Sequence, residues 1–187
     1  MKLYIKNMVC NRCKMVVKTE LEKLGFNPIL VKLGEVEIAE NYIDTLKQQQ
    51  LEATLEQLGF ELLADKKQQL TEQIKATIVE LAHYNKEGLK VNLSTFLSDK
   101  LGLEYAHLSA IFSEIEHNTI EKYFIQQKIE KVKELLEYGE KSLSEIAYQL
   151  NYSSVAHLSA QFKKTTGNTP TEYKLLQNTS RKTLDEI

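Results

Sequence analysis

The chain has 187 residues, 42% hydrophobic and 27% charged, a composition that excludes wholesale disorder. No run approaches the roughly 18 consecutive apolar residues of a membrane span, and MKLYIKNMVC lacks a secretory apolar core, so the reading is a soluble, cytoplasmic chain with no membrane partner. Two cysteines cannot form a disulfide scaffold, and a net charge of −2 means that any nucleic-acid reading must find its positive charge locally.

The first sixty-odd residues carry two periods. Residues 2–7 alternate like a strand, and residues 11–24 place Val16, Val17, Leu21 and Leu24 at helical spacing before Gly25. Ile29–Leu33 and Val36–Ile38 are short β-branched runs joined by Gly34-Glu35, a hairpin signal. Asn41–Leu58 is helical again, stopped by Gly59, and Phe60–Leu63 closes as a last strand. The order β-α-β-β-α-β implies a ferredoxin-like domain over residues 1–65.

From Leu70 the strand signal ends. Helical periodicity runs through 70–86, 93–101, 105–116, 119–138, 143–150, 154–165 and 170–177, and the short polar stretch 64–70 reads as the boundary. Ser142-x-x-Glu145 and Thr169-x-x-Glu172 have capping-box spacing. The fold class is therefore α+β: the ferredoxin-like domain, then an all-α domain over 70–178, with 179–187 as a tail.

The second half repeats itself. AHLSAIF at 106–112 recurs as AHLSAQF at 156–162, and Asn118, Thr119 and Tyr123 recur as Asn168, Thr169 and Tyr173, all at an offset of 50. Each copy has the length of a helix, a turn of three to four residues and a second helix, a tandem helix-turn-helix arrangement. The stretch SLSEIAYQLNYSSVAHLSAQFKKTTGNTPTEYK (142–174) resembles the AraC-type DNA-binding domain. That resemblance implies two recognition helices entering successive major grooves of double-stranded DNA, joined by the helix 119–138.

Helical geometry turns Leu158 and Phe162 inward and leaves Ser154, Ala156, His157, Ser159, Ala160, Lys163 and Lys164 as the DNA-facing candidates. Their counterparts are Ala106, His107, Ser109 and Ala110, with Leu108 and Phe112 inward. The sequence departs from the family at Ala110 and Ala160, where arginine is common. Alanine can touch a thymine methyl or permit close approach, but it cannot read guanine. Each histidine suits a phosphate contact or a packing role.

Positive charge concentrates in the second copy: residues 151–182 hold five basic side chains against Glu172 alone. Ser113 and Glu114 stand where the second copy has Lys163 and Lys164, so the second unit is expected to carry most of the affinity. The charged face of 119–138 (Glu121, Lys122, Lys128, Glu130, Lys131, Lys133, Glu134) reads as solvated surface. A bare helical bundle without DNA function is the bland alternative.

Met8-Val9-Cys10-Asn11-Arg12-Cys13 lies between the first strand and the first helix. In that context, followed by PILVKLGEVEI and LEQLGFELL, it resembles a heavy-metal-associated domain of the copper-chaperone type. The resemblance implies that Cys10 and Cys13 bind a soft metal ion. Thiolates suit Cu(I), the favoured ion, and Ag(I) or Hg(II). Zn(II) wants four ligands, which would require a second copy of the domain bridged through four thiolates, or other donors. Met8 is expected to pack rather than ligate. A reversible disulfide and a vestigial site remain as alternatives.

Nothing clusters like a catalytic constellation, so no enzyme is expected. The leading expectation is a transcription regulator responsive to a soft metal ion. The alternative is a metal chaperone or buffer whose helical half is a protein-interaction module.

Overall fold

The structure, a computed structural model, describes residues 1–85, 89 and 91–175. The expectations for residues 86–88, 90 and 176–187, including Arg181, Lys182 and the tail, lie outside the described residues.

β1 (Lys2–Lys6) buries Leu3 and Ile5 and leaves Lys2 exposed and Tyr4 and Lys6 half-buried, as alternation requires. It pairs antiparallel with β3 (Glu35–Ile38) on one side and β4 (Glu61–Leu62) on the other, while β2 (Pro28–Val31) flanks β3. The strand order is β2-β3-β1-β4. Leu3 pairs with Val36 and Ile5 with Leu62, so the inward residues share one face. α1 (Asn11–Lys23) places Val17 and Leu21, and α2 (Thr45–Gln57) places Leu51 and Leu55, on that face with Met8, Phe26 and Phe60.

Three boundaries differ from expectation. α2 begins at Thr45 rather than Asn41, because the Asp44 carboxylate accepts the Lys47 N–H at 2.9 Å and sets the N-cap there. Val16 lies outward, with Val17 taking the core position. The polar stretch 64–70 is mostly helix: Asp65 caps α3 (Lys66–Val79) through the Gln68 N–H, and the Lys and Gln residues that follow are good helix formers.

α3 lies between the two halves, packing on β1 and on α5 (Tyr105–Glu116). The β2–β3 turn rests against it: Gly34 has φ +71°, and a Cβ there would stand 3.4 Å from the Ala76 side chain. Leu33, Ala76 and Val79 form a small apolar cluster at this junction. Glu72 is only 5% exposed and accepts the Asn7 N–H at 3.3 Å. Burial pushes its carboxyl above the ordinary range, more strongly than Lys75 and the Asn7 N–H pull it down; Glu116 pushes it up and Lys6 down.

A raised folded-state value means that the folded protein favours the protonated acid. That contribution is complete below the unfolded value and is lost as pH rises through the folded one. Glu72→Gln keeps the acceptor for Asn7 and removes the buried charge. We expect a higher melting temperature at pH 7, by about 2–4 °C per kcal/mol relieved. The gap from wild type should narrow as pH falls towards 4.5; a pH-independent gap in thermal melts would refute a buried charge.

At Glu80–Tyr84 the helix widens into a π turn, where a single helix had been expected to run to residue 86. The remaining elements are α4 (Leu93–Leu101), α5, α6 (Ile120–Tyr138), α7 (Leu143–Gln149), α8 (Val155–Thr166) and α9 (Pro170–Leu175). α6 serves two cores. Ile120 and Tyr123 join Ile74, Ile78, Leu97, Leu108 and Phe112, whereas Ile129, Val132, Leu135 and Leu136 join Ile146, Leu150, Leu158, Phe162 and Tyr173.

The reading of α6 as carrying a solvated charged face is corrected. Glu130 and Lys133 are buried and paired at 2.7 Å, and Lys128, Lys131 and Glu134 are half-buried. Only Glu121 and Lys122 of that set are exposed. A helix packed at both ends against separate cores has little free surface. Among the described residues, no helix is long and apolar enough to cross a membrane.

Candidate nucleic-acid interface and thiol pair

The repeat is three-dimensional. Phe112 packs against Tyr123 with ring centroids 5.6 Å apart, and Phe162 against Tyr173 at 5.5 Å, the same two positions displaced by 50. Leu108, Phe112, Leu158 and Phe162 are fully buried, which turns the small residues of α5 and α8 outward. Ala106, His107 and Ala110 are exposed on α5, with Ser109 and Ser113 half-buried. On α8, Ala156, His157, Ala160, Lys163 and Lys164 are exposed and Ser159 is half-buried.

The two units start and stop by different means. α4 ends at Gly102, with φ +70°, and only residues 102–104 precede α5. In the second unit residues 150–154 separate α7 from α8, a longer turn than expected, with Asn151 at φ +52°. Ser142 and Glu145 complete the expected capping box, and Thr169 and Glu172 bond reciprocally. The Ser154 hydroxyl accepts the His157 N–H at 3.0 Å, so it caps α8. His157 Nδ1 lies 2.9 Å from the Ser153 hydroxyl, and its ring meets Tyr152 edge-on at 5.4 Å. This imidazole is exposed but held.

Charge separates the two C-terminal ends. Lys163 and Lys164 sit exposed in the last turn of α8, where cations complement the helix dipole. At the corresponding end of α5, Glu114 binds Lys67 at 2.6 Å and Glu116 lies 3.5 Å from Lys75, both lysines coming from α3. The acidic end of the first unit is thus used for docking on α3, a role that the local sequence of α5 does not reveal.

Cys10 is the N-cap of α1 and makes no side-chain cap bond. Its sulfur lies 3.2 Å from that of Cys13, a thiol–thiol hydrogen-bond contact far longer than a disulfide of about 2.05 Å. Burial opposes ionisation of Cys10. It is outweighed by the Cys13 N–H and thiol, the Arg12 N–H and the Arg12 charge, which together hold this thiol below its ordinary value. Burial, and then Cys10 itself, push Cys13 up. The two thiols are thus shifted in opposite directions at a helix N-terminus, Cys10 towards easier ionisation and Cys13 away from it. Among the described residues no group of three His, Cys, Asp or Glu side chains forms at this pair, so the chain's own donors fit a two-sulfur soft ion better than Zn(II). Met8 is 1% exposed in the first core, in keeping with a packing role.

Tyr84 was not among the sequence candidates. It ends the π turn and lines a cleft with Asn11 and Lys14 of the first turn of α1. Burial, then the charges of Cys10, Glu134 and Cys13, push its phenol up, while the Asn11 N–H opposes them. Its neighbour His83 is bonded to Gln127 of α6 at 3.0 Å, and His83 Nδ1 lies 3.9 Å from Glu134. A tyrosine in an unbroken helical pattern gives no sequence signal of such a junction.

Residues 97–175 match the family model of a helix-turn-helix domain. The C-terminal domain of AraT, a response regulator from Geobacillus stearothermophilus, superposes with a TM-score of 0.52 at 21% identity, over 64% of this chain and 94% of that one. This shows a shared fold. The C-terminal domain of the two-component response regulator yesN from Fusobacterium nucleatum is 33% identical over 55% of this chain and 95% of its own length, with a TM-score of 0.47. A transcriptional regulator with an AraC-type DNA-binding domain from Chromobacterium violaceum is 23% identical over 58% and 96%, with a TM-score of 0.48. No curated protein matches the chain. The second half carries a helix-turn-helix domain.

Proposed function

We propose that this chain, a DNA-binding transcription regulator of the AraC type, responds to a soft metal ion, Cu(I) above others, held by Cys10 and Cys13 of a ferredoxin-like, heavy-metal-associated first domain. The observation that carries the DNA reading is the pair of outward faces on α5 and α8, each backed by an equivalent buried phenylalanine–tyrosine pair (Phe112 with Tyr123 of α6, Phe162 with Tyr173 of α9) and each packed into a core at one end of α6. α6 has 19 residues and is about 28 Å long, close to the roughly 34 Å between successive major-groove faces. Ala106, Ser109 and Ala110, with Ala156, Ser159 and Ala160, would approach base edges. Ser154, His107 and His157 would lie near the backbone, and Lys163 and Lys164 would neutralise phosphates.

The strand order β2-β3-β1-β4, with both helices contributing to one core, supports the ferredoxin-like assignment. The sulfur pair at the start of α1 supports the metal assignment. Cys10 and Cys13 would hold a soft ion through their two sulfurs in place of the contact between them, and the ion would change the charge at the loop. This chain's residues then supply the route. Tyr84 lines a cleft with Asn11 and Lys14 beside the cysteine loop, and the next residue back, His83, bonds α6, the helix common to both reading units. The coupling requires unequal metal affinity for two arrangements of this junction. Bridging of two first domains through four thiolates would be a second consequence of the same pair.

The test is binding of the reduced, full-length protein to its own upstream DNA at two salt concentrations, with and without Cu(I). We expect salt-sensitive, sequence-preferring binding whose affinity shifts with Cu(I). Binding indifferent to Cu(I) would remove the metal response and leave the regulator. Absence of DNA binding in every state would overturn the DNA reading in favour of a metal chaperone or buffer.

A further inference from the structure

A lysine that plays no part in that scheme lies at the meeting point of the π turn, α6 and the second helix-turn-helix. Lys128 is half-buried, with its ammonium 3.8 Å above the Tyr152 ring and 5.7 Å from Phe124. It forms no ion pair with any carboxylate among the described residues. Burial alone pushes it down to about 8. Beside it is a cavity of 220 Å³ between the π turn and the end of α7. Its described lining carries one cation, Lys128, three amide side chains, Asn85, Gln149 and Asn151, and no carboxylate. The Gln149 carbonyl already accepts from Lys141, which leaves its NH2 as a donor.

A desolvated ammonium normally keeps a counter-charge nearby, because leaving it uncompensated is costly. The ring face of Tyr152 compensates only one side of this one. The cavity is smaller than the roughly 300–1,000 Å³ of drug-sized sites and would hold about seven waters at 30 Å³ each, room for a small anion together with some of its water.

We propose that this cavity is a binding site for a small oxyanion, a phosphate or a short carboxylate, with Lys128 as its charge partner and Asn151 and Gln149 as amide donors. A bound anion would tie the turn before α8 to the π turn, and so hold the second reading unit to the segment that carries Tyr84. This inference does not depend on the metal assignment.

The experiment is thermal unfolding of the full-length protein with inorganic phosphate in one arm and acetate or succinate in another, each against chloride at equal ionic strength. The Lys128→Met variant runs in parallel, since methionine retains an unbranched apolar stem over Tyr152. We expect one of the oxyanion arms to raise the wild-type melting temperature by about 2–4 °C beyond chloride and to leave Lys128→Met unmoved. The responding arm identifies the anion. No shift beyond chloride in either arm, or an equal shift in Lys128→Met, would overturn the proposal.

Discussion

Lys163→Glu combined with Lys164→Glu should lower affinity for operator DNA on the order of 10- to 100-fold near 0.15 M salt, and should flatten the slope of log affinity against log salt by about 1.8. Both side chains are exposed in the last turn of α8, one face away from the buried Phe162, so reversing them leaves the core untouched. The slope follows from counting, since each phosphate neutralised contributes about 0.9. The control is the corresponding pair in the first unit. Ser113→Ala with Glu114→Ala should change affinity far less, because Glu114 is held by Lys67 of α3 and carries no positive charge to lose. Equal losses in a salt-titrated binding assay would refute the division of labour between the units. The mutant's helical content and melting temperature should stay near wild type, which separates a lost contact from a lost fold.

How much of this was readable beforehand depends on the range of the interactions. The period-2 run KLYIK and the i,i+4 pairs Leu158/Phe162 and Leu108/Phe112 declare their buried faces locally, and those faces are buried. The 50-residue repeat is legible for the same reason: a phenylalanine and a tyrosine eleven positions later must meet again in each copy. What failed was long-range. Glu114 and Glu116 look like an unfavourable acidic end until α3 brings Lys67 and Lys75 to them. Glu130 and Lys133 look solvated because their i,i+3 spacing suits an exposed helix, yet both are enclosed when two cores close on one α6. The π turn is invisible to periodicity, since ELAHY continues a helical pattern. Tyr84 and Lys128 therefore emerge only from the packing.

The junction also bears on how the two halves influence one another. α3 buries Glu72 beneath Asn7, one residue before Met8, and places Lys75 over the Tyr123 ring at 5.8 Å. The strand that leads into the cysteine loop and the aromatic pair that supports α5 thus meet on one helix. α3, packed on β1 and α5, and the π turn, packed on α6 with Tyr84 beside Asn11 and Lys14, are two segments that join the side of the cysteine loop to the helical half.

Replacing both thiols is the sharpest test of the first domain. Cys10→Ser with Cys13→Ser should abolish high-affinity Cu(I) binding, measured by competition with a Cu(I) chelator under reducing conditions, because a hydroxyl is neither soft nor ionised near neutrality. The fold should survive, since Cys10 makes no cap bond and Cys13 lies only at the edge of a core built from Val17, Leu21, Leu51 and Leu55. Serine is a better N-cap than cysteine, so a small stabilisation of α1 is expected from Cys10→Ser. DNA affinity of the metal-free protein should stay within about threefold of wild type while its dependence on Cu(I) disappears. Unchanged Cu(I) stoichiometry would sink the metal assignment. Loss of Cu(I) binding with DNA affinity still shifting on Cu(I) addition would place the response outside this thiol pair. Tyr84→Ala separates capture from transmission: it leaves both sulfurs in place, so Cu(I) should still bind while its effect on DNA affinity falls.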